Sequence, residues 1–179
     1  SVPIIYYYRF TPKLLFKGEK HNLYEFFLCL KGKMKTKIGN KTFEMKENDY
    51  IIIPKNLMHS SVPANDYTSS ISIVFDAKGI KDNIICLKVK SINPDETTLI
   101  KLITKNYYNN VNNKFYTEKI EESSPLKNEY AFKQVIKNSL ETVLLLITRD
   151  FMYGNEIKNF KNYFSSFLVI YYLIWLWLF

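Results

Sequence analysis

The sequence contains few of the residues that mark disulfide-rich, zinc-stapled or low-complexity proteins. Its two cysteines, Cys29 and Cys86, form no CxxC pair, which excludes a disulfide scaffold and argues against a structural zinc site. Both lie in apolar runs, so we expect two buried free thiols in a reducing cytosol. Five Gly and six Pro exclude a collagen-like repeat or long flexible linkers. The N-terminus lacks the charged-then-apolar pattern of a secretory signal, and we expect a cytoplasmic protein.

Arginine and histidine are also scarce. Of the 25 basic residues only Arg9 and Arg149 are Arg, and the lysines are scattered along the sequence. The formal net charge of +8 therefore does not predict a nucleic-acid surface, which would be clustered and Arg-bearing. Any site that uses imidazole must be built on His21 and His59. The 179 residues, 47% of them hydrophobic and 23% charged, are typical of one globular domain with an appendage.

Residues 1–92 predict short strands separated by turns. Residues 35–43 have the pattern of a hairpin with Gly39-Asn40 at its tip, which suits a two-residue type II′ loop. The β-branched run Ile51–Ile53 predicts a further strand. At 70–75, apolar residues alternate with serines, which is the period of a half-buried strand. Many short strands with regular turns are typical of a sandwich or a barrel.

Residues 93–151 predict a pair of helices. Asn93-Pro94, followed by two acidic residues, is a typical helix start, and apolar residues follow at helical spacing as far as Val111. A second helix is predicted to begin at Ser124-Pro125. Its apolar residues recur every three or four positions from Phe132 to Phe151, which indicates an amphipathic helix of roughly 25 residues with one apolar face.

Residues 152–179 have a different composition. No charge occurs between Asn162 and Phe179, and the last thirteen residues are all apolar. A membrane-spanning helix needs about 20 predominantly apolar residues, so this segment is borderline. Three interpretations stay open: an aberrant or truncated end, a membrane anchor that would make the protein a tethered binding module, and a buried helix.

The spacing around the two histidines suggests a shared site. His21 precedes Glu25 by four residues, so on an extended strand both side chains would point to one face, together with Phe27 and Cys29. If the strands close into a barrel, we expect these groups and His59 to meet in one interior.

These segments resemble the two motifs of the cupin superfamily. Residues 21–32 are similar to the first motif, G-x5-H-x-H-x3-4-E-x6-G, and residues 48–59 to the second, G-x5-P-x-G-x2-H-x3-N. The departures from the two motifs are Glu19 in place of the first His, Asn48 and Asn56 in place of both second-motif glycines, and Pro63 in place of the closing Asn. Asn tolerates the left-handed conformation that such glycines adopt. The resemblance implies a mainly β fold with C-terminal α structure: a cupin-like, RmlC-like jelly-roll barrel followed by a helical pair.

Residues 5–151 resemble more closely the N-terminal sensing and dimerisation domain, with its linker helix, of AraC-type transcription regulators. This resemblance implies a cupin-like sensing barrel at 1–92, a helical linker and dimerisation segment at 93–151, and an atypical tail at 152–179. It implies a small-molecule effector, with a sugar as one candidate, and a homodimer. DNA would be bound only through a helix-turn-helix part, and we expect the chain to end before that part, because residues 152–179 resemble no recognition helix.

The site predicted from the resemblance is a ligand pocket without a catalytic residue or a cofactor. Its candidate ligand-binding residues are Arg9, Phe10, His21, Glu25, Phe27 and His59. The candidate dimerisation residues are Phe132, Val135, Ile136, Leu140, Val143 and Ile147, although this stripe could equally pack on the barrel.

The rival hypothesis is a metal-dependent cupin enzyme, such as a small dioxygenase or a sugar isomerase. Two histidines and one carboxylate form the ligand set favoured by non-haem iron, and Glu19 could add an oxygen ligand to His21, Glu25 and His59. A third alternative is that the two histidines are simply hydrogen-bonded at the barrel mouth.

Overall fold

The structure is a computed structural model, and it describes residues 3–10, 18–65, 67–110 and 131–153. The expected helix start at Ser124-Pro125, Val111 and all but the first two residues of the apolar tail lie outside these ranges. No helix within the described ranges combines the length and the apolar character needed to cross a bilayer.

The described chain consists of eight strands followed by helices. The strands are β1 (Ile4–Phe10), β2 (Tyr24–Lys31), β3 (Lys33–Ile38), β4 (Lys41–Lys46), β5 (Asp49–Ile53), β6 (His59–Pro63), β7 (Thr68–Phe75) and β8 (Lys90–Ser91). The helices are α1 (Asp82–Ile85), α2 (Pro94–Asn110) and α3, whose described residues are 131–153. All strand pairs are antiparallel, in a five-stranded sheet of order β1-β7-β2-β5-β8 and a three-stranded sheet of order β4-β3-β6. The mainly β fold with C-terminal helices is therefore confirmed.

The turns form where the sequence predicts them. Gly39 has a φ of +56° between β3 and β4, as the first position of a type II′ loop requires. Asn48 and Asn56 have φ values of 68° and 62°, so both adopt the left-handed conformation that the resemblance assigns to glycine. Asn93 and Glu96 cap α2 reciprocally, because the backbone N–H of each donates to the side chain of the other at 2.9 Å.

Two apolar layers lie on opposite sides of the five-stranded sheet. We call the two sheets, β1 to β8, the β-module. The inner core lies between these sheets and consists of Phe27, Cys29, Met34, Ile38, Met45, Ile51 and Ile53. The outer core joins the other face of the five-stranded sheet to α2 and α3; from β2 it includes Phe26 and Leu28. Both cysteines are buried and free, as expected.

The outer core changes two expectations about burial. Strand β7 is buried on both faces rather than on one, since its Ile71 and Ile73 lie in the outer core while Ser70 and Ser72 are fully buried on the opposite face. In α3 the apolar stripe packs on the sheet. Its outer-core members among the dimerisation candidates are Phe132, Ile136, Leu140, Val143 and Ile147, whereas Val135 is 37% exposed. Dimerisation through these residues stays a prediction.

Candidate functional site

Four polar side chains meet at one end of the inner core: Glu19, His21, Glu25 and His59, which we call the polar cluster. One potential ligand atom from each lies within 4.8 Å of the others. Oε2 of Glu25 lies 3.3 Å from Nε2 of His21 and 3.0 Å from Nε2 of His59. Nε2 of His59 also lies 3.6 Å from Oε1 of Glu19. The structure thus brings together the two imidazoles and the carboxylates that the sequence singled out.

The elements that hold the cluster differ from the expected arrangement in one respect. Strand β2 begins at Tyr24, so Glu25 lies on it but His21 does not. The expectation that His21 and Glu25 share a strand face is therefore wrong. His21 instead reaches Glu25 from the bend at 22–23, where its Nδ1 lies 3.1 Å from the carbonyl oxygen of Leu23.

Glu19 and His59 are joined through the backbone. The N–H of Glu19 donates to the carbonyl of His59 at 2.8 Å, and the N–H of His59 donates to the carbonyl of Glu19 at 2.9 Å. Gly18 permits this close approach, because a Cβ at that position would lie 2.9 Å from the carbonyl oxygen of His59 and its φ is +91°. Two cluster members from distant parts of the chain are thereby fixed side by side.

Both imidazoles are oriented by backbone carbonyls. Nδ1 of His59 lies 3.0 Å from the carbonyl oxygen of Leu57, in the same relation that His21 has to Leu23. Since a carbonyl only accepts, each Nδ1 carries the proton and donates it. In the neutral form of each ring, Nε2 then offers a lone pair to the cluster.

Contacts within the cluster shift the pKa values of its members. Burial would raise the pKa of Glu25, which is only 2% exposed, but the interactions with His21 and His59 lower it to about 2. Burial would lower the pKa of His59, but the nearby carboxylates of Glu19 and Glu25 raise it to about 10. The Glu25 carboxylate likewise raises the pKa of His21. The carboxylate of Glu25 and the protonated imidazole of His59 therefore stabilise each other when no cation is bound.

The same residues fit a divalent cation. Nε2 of His59 is buried and has no hydrogen-bond partner of acceptable geometry among the described residues, although Glu25 is close. A buried polar atom without a partner calls for an explanation such as an ion or a water. Two imidazole nitrogens and two carboxylates are a donor set suited to iron(II) or manganese(II), and binding of such an ion would release any proton that an imidazole Nε2 carries.

The inner wall next to the cluster contains hydroxyl groups that the sequence reading did not select. In the strand register Tyr8 lies opposite Ser70, and Ser70 lies opposite Cys29; Ser72 lies opposite Phe27. The hydroxyls of Ser70 and Ser72 are buried without a hydrogen-bond partner in the part of the chain that the structure describes. Burial, Glu19 and Glu25 all raise the pKa of Tyr8, which places its phenol near the cluster. The alternation of serines in β7 is the available sequence signal, but by itself it predicts a half-buried strand rather than a buried row of hydroxyls.

The remaining candidate residues fall into two groups. Phe27 is 4% exposed in the inner core, on the same face of β2 as Glu25, as expected. Arg9 and Phe10 end β1, where their backbones lie opposite Ser69 and Thr68 in β7. Their side chains lie outside the described part, so their place in a pocket stays a prediction.

Comparisons with known proteins bear on the β-module. Residues 7–71 match the model of a family described as "Cupin domain". No curated protein matches the chain.

Several solved structures are similar over part of the chain. KdgF from Halomonas sp. shares 12% identity over 40% of this chain and 66% of its own, with a TM-score of 0.36. An RmlC-like cupin family protein with a double-stranded β-helix fold from Methanocaldococcus jannaschii shares 16% identity over 40% of this chain and 68% of its own, with a TM-score of 0.38. Iron(II) HppE in complex with substrate shares 18% identity over 41% of this chain and 44% of its own, with a TM-score of 0.35. The chain thus spans less than two thirds of the KdgF chain and less than half of the HppE chain.

The family match and the strand arrangement agree with each other. The matched residues run from β1 into β7 and contain the whole polar cluster. The two antiparallel sheets enclose one apolar interior, and the helices cover the outside of the larger sheet. The β-module of this chain therefore has the cupin fold.

Proposed function

We propose that this chain is the effector-sensing and dimerisation module of an AraC-type transcription regulator, with a small-molecule effector bound at the polar cluster. One observation carries the proposal: the side chains of strand β2 pack against the layers on both sides of the larger sheet. Its Glu25 and Phe27 face the interior, while its Phe26 and Leu28 pack in the outer core with α2 and α3. A ligand inside the barrel would touch the strand on which the helices rest.

The buried serines of β7 support a ligand rather than a purely structural interior. A buried hydroxyl without a hydrogen bond costs about 1–3 kcal/mol, and an apolar residue of similar size would avoid that cost. Ser70 and Ser72 are both fully buried. Ser72 lies close enough to Glu25 to help lower the pKa of that carboxyl, so this cost falls on Ser70, which has no hydrogen-bond partner among the described residues. Hydroxyls held beside a polar cluster at such a cost are suited to a hydroxylated ligand, and a sugar is our candidate.

The proposal includes a homodimer, but its contact surface differs from the apolar stripe predicted from the sequence. Most of the predicted stripe of α3 is used inside the molecule, whereas Val135, Leu145 and Met152 are 37%, 70% and 44% exposed. We assign the contact between two copies to this exposed side of α3. Sequence-specific DNA binding would need a helix-turn-helix part, and residues 152–179 do not resemble one.

Thermal unfolding of the full chain with a panel of neutral monosaccharides and polyols tests the sensor. A ligand at 100 times its Kd stabilises the folded state by about 2.7 kcal/mol. We expect at least one compound to raise the Tm, and we expect Ser70→Ala to lose that response. Ser60→Ala, on the outward side of β6, is the matched control and should keep it. Hydrogen exchange should report slower opening of α3 in the complex.

Two results would contradict the sensor. A stabilising compound that acts equally on the Ser70→Ala variant does not bind at the inner wall. A compound that protects the interior and leaves exchange in α3 unchanged does not couple the barrel to the helices.

A metal-dependent cupin enzyme is the second candidate, favoured by the orphaned Nε2 of His59 and the four converging donors. Glu19, His21, Glu25 and His59 would hold the ion. A bound divalent ion would supply Lewis acidity toward a substrate oxygen. The chain's own part would be to orient both imidazoles through the carbonyls of Leu23 and Leu57 and to keep the site apolar on its Phe27 side.

Metal analysis of the purified full chain separates the two candidates. Stoichiometric iron or manganese that is lost in His59→Ala and retained in Glu44→Gln, a change at an exposed glutamate on β4, would favour the enzyme. A protein that takes up no more than trace metal after incubation with iron(II) or manganese(II) would contradict it.

A further inference from the structure

The outward face of the three-stranded sheet collects lysines that are apart in the sequence. All three outward positions of β3 are exposed lysines: Lys33, Lys35 and Lys37. Lys46 on β4 lies directly opposite Lys33 and is also exposed. We call these four residues the lysine face. Among the outward side chains of the two strands the acidic one is Glu44, whose Oε1 lies 3.4 Å from Nζ of Lys35.

Stability does not explain the lysine face. Like charges directly opposite each other in a sheet are destabilising, and Lys33 faces Lys46 in this way. Lysine is also depleted in strands. Charges on an edge strand protect against aggregation, which accounts for Lys46 on β4. It does not account for β3, because β3 is the central strand of the order β4-β3-β6.

We propose that the lysine face binds the phosphate backbone of double-stranded DNA without sequence preference. Alternate residues of an antiparallel strand are about 6.8 Å apart, so β3 presents a straight row of three cations over roughly 14 Å. A row of this kind fits a linear polyanion, and duplex DNA carries one negative charge about every 3.4 Å along each strand. Lysine contacts phosphate as a point charge and does not supply the bidentate contacts by which arginine reads bases.

Other polyanions fit less well. Single-stranded nucleic acid is bound by aromatic side chains that stack on bases. The outward positions of β3 and β4 offer no aromatic residue; Phe43 of β4 packs against the inner core instead. Peripheral membrane binding combines basic residues with an apolar face. The outward residues of β6 beside β3 are Ser60 and Val62, and Val62 is the apolar one, 40% exposed.

Fluorescence anisotropy with the full chain and a random-sequence DNA duplex tests this proposal, in about 20 to 200 mM salt. Each phosphate contact contributes about 0.9 to the slope of log K against log salt. We expect the triple change K33Q/K35Q/K37Q to make that slope less steep by about 2 to 3, the lower figure applying if Lys35 stays paired with Glu44. The control K101Q/K105Q/K137Q removes the same charge from exposed positions of α2 and α3 and should keep the slope. Circular dichroism checks that both variants are folded.

Three results would overturn the proposal. The unchanged protein could fail to bind the duplex at 20 mM salt. Both triple variants could weaken binding equally, which would mean that net charge alone is responsible. Vesicles with anionic lipid could bind the protein more tightly than the duplex, with the loss again confined to the β3 variant, which would assign the face to a membrane. None of these results depends on an effector, so the sensor proposal is tested separately.

Discussion

Replacing Glu25 by Gln tests whether the polar cluster is the electrostatic centre of the barrel. The substitution keeps the shape of the side chain and removes its charge, which lies 3.0 Å from Nε2 of His59 and 3.3 Å from Nε2 of His21. Glu25 is 2% exposed and His59 is 5% exposed, so solvent screens this pair little. Removing one partner of a buried ion pair typically costs about 3–5 kcal/mol.

The pKa directions set the pH at which this cost appears. The folded pKa of His59, about 10, lies above its usual value of 6.5. The stability that it contributes is therefore fully present below pH 6.5 and is lost as the pH rises through 10. The folded pKa of Glu25, about 2, lies below its usual value of 4.5, so its contribution is present above pH 4.5 and is lost as the pH falls through 2. Both shifts describe one coupled interaction and are counted once.

We therefore expect Glu25→Gln to lower the free energy of unfolding of the metal-free protein by about 3–4 kcal/mol at pH 6. At pH 10 the difference should fall below about 1 kcal/mol, because the unchanged protein has by then lost most of the contribution of the charged imidazole. Urea unfolding of the chelator-treated full chain at both pH values measures this difference. The exposed control Glu44→Gln should change stability by less than about 0.5 kcal/mol at either pH. An equal loss from Glu25→Gln at pH 6 and pH 10 would refute the electrostatic reasoning.

Three further predictions concern stability measured by urea unfolding. Gly18→Ala should lower the free energy of unfolding by about 1–3 kcal/mol, because a Cβ there meets the carbonyl of His59 at 2.9 Å. An unchanged stability would mean that the backbone pair of Glu19 and His59 moves apart without cost. Ser70→Ala should stabilise the ligand-free protein by up to about 1–3 kcal/mol, whereas a loss would reveal a hydrogen-bond partner. Ile136→Ala, at a fully buried position, should lower the free energy of unfolding by about 2–5 kcal/mol, and Val135→Ala by less than about 1 kcal/mol. Equal losses would contradict the side of α3 that packs on the sheet.

Local signals predicted much of the fold because turn chemistry and periodicity depend on short segments. The Gly39-Asn40 tip, the cap at Asn93 and the stripe of α3 all form as expected. The left-handed Asn48 and Asn56 support the motif alignment at the two positions where the sequence departs most visibly from it. Each of these features is decided by a few neighbouring residues and by backbone sterics.

The parts that sequence could not predict depend on which layer covers which face. Alternation in β7 indicated one buried side, but α2 and α3 cover the other side, so Ser70 and Ser72 end up buried. The spacing of His21 and Glu25 predicted that they share one face of a strand. They do lie close together, but a bend joins them. The lysine face cannot be predicted from the sequence for a related reason: scattered lysines become one surface only through the pairing of β3 with β4.

The alternation within β2 limits how a ligand could act on the helices. Glu25 and Phe27 face the interior, and the intervening Phe26 and Leu28 face the outer core, so a shift of this strand moves both layers together. A closely packed core transmits such a shift because it has few voids to absorb it. A ligand changes the position of α3, however, only if it binds one arrangement of β2 more tightly than another. The polar cluster supplies a physical basis for that difference, because its four groups can be neutralised by protons or by a cation, and each choice sets different distances around Glu25.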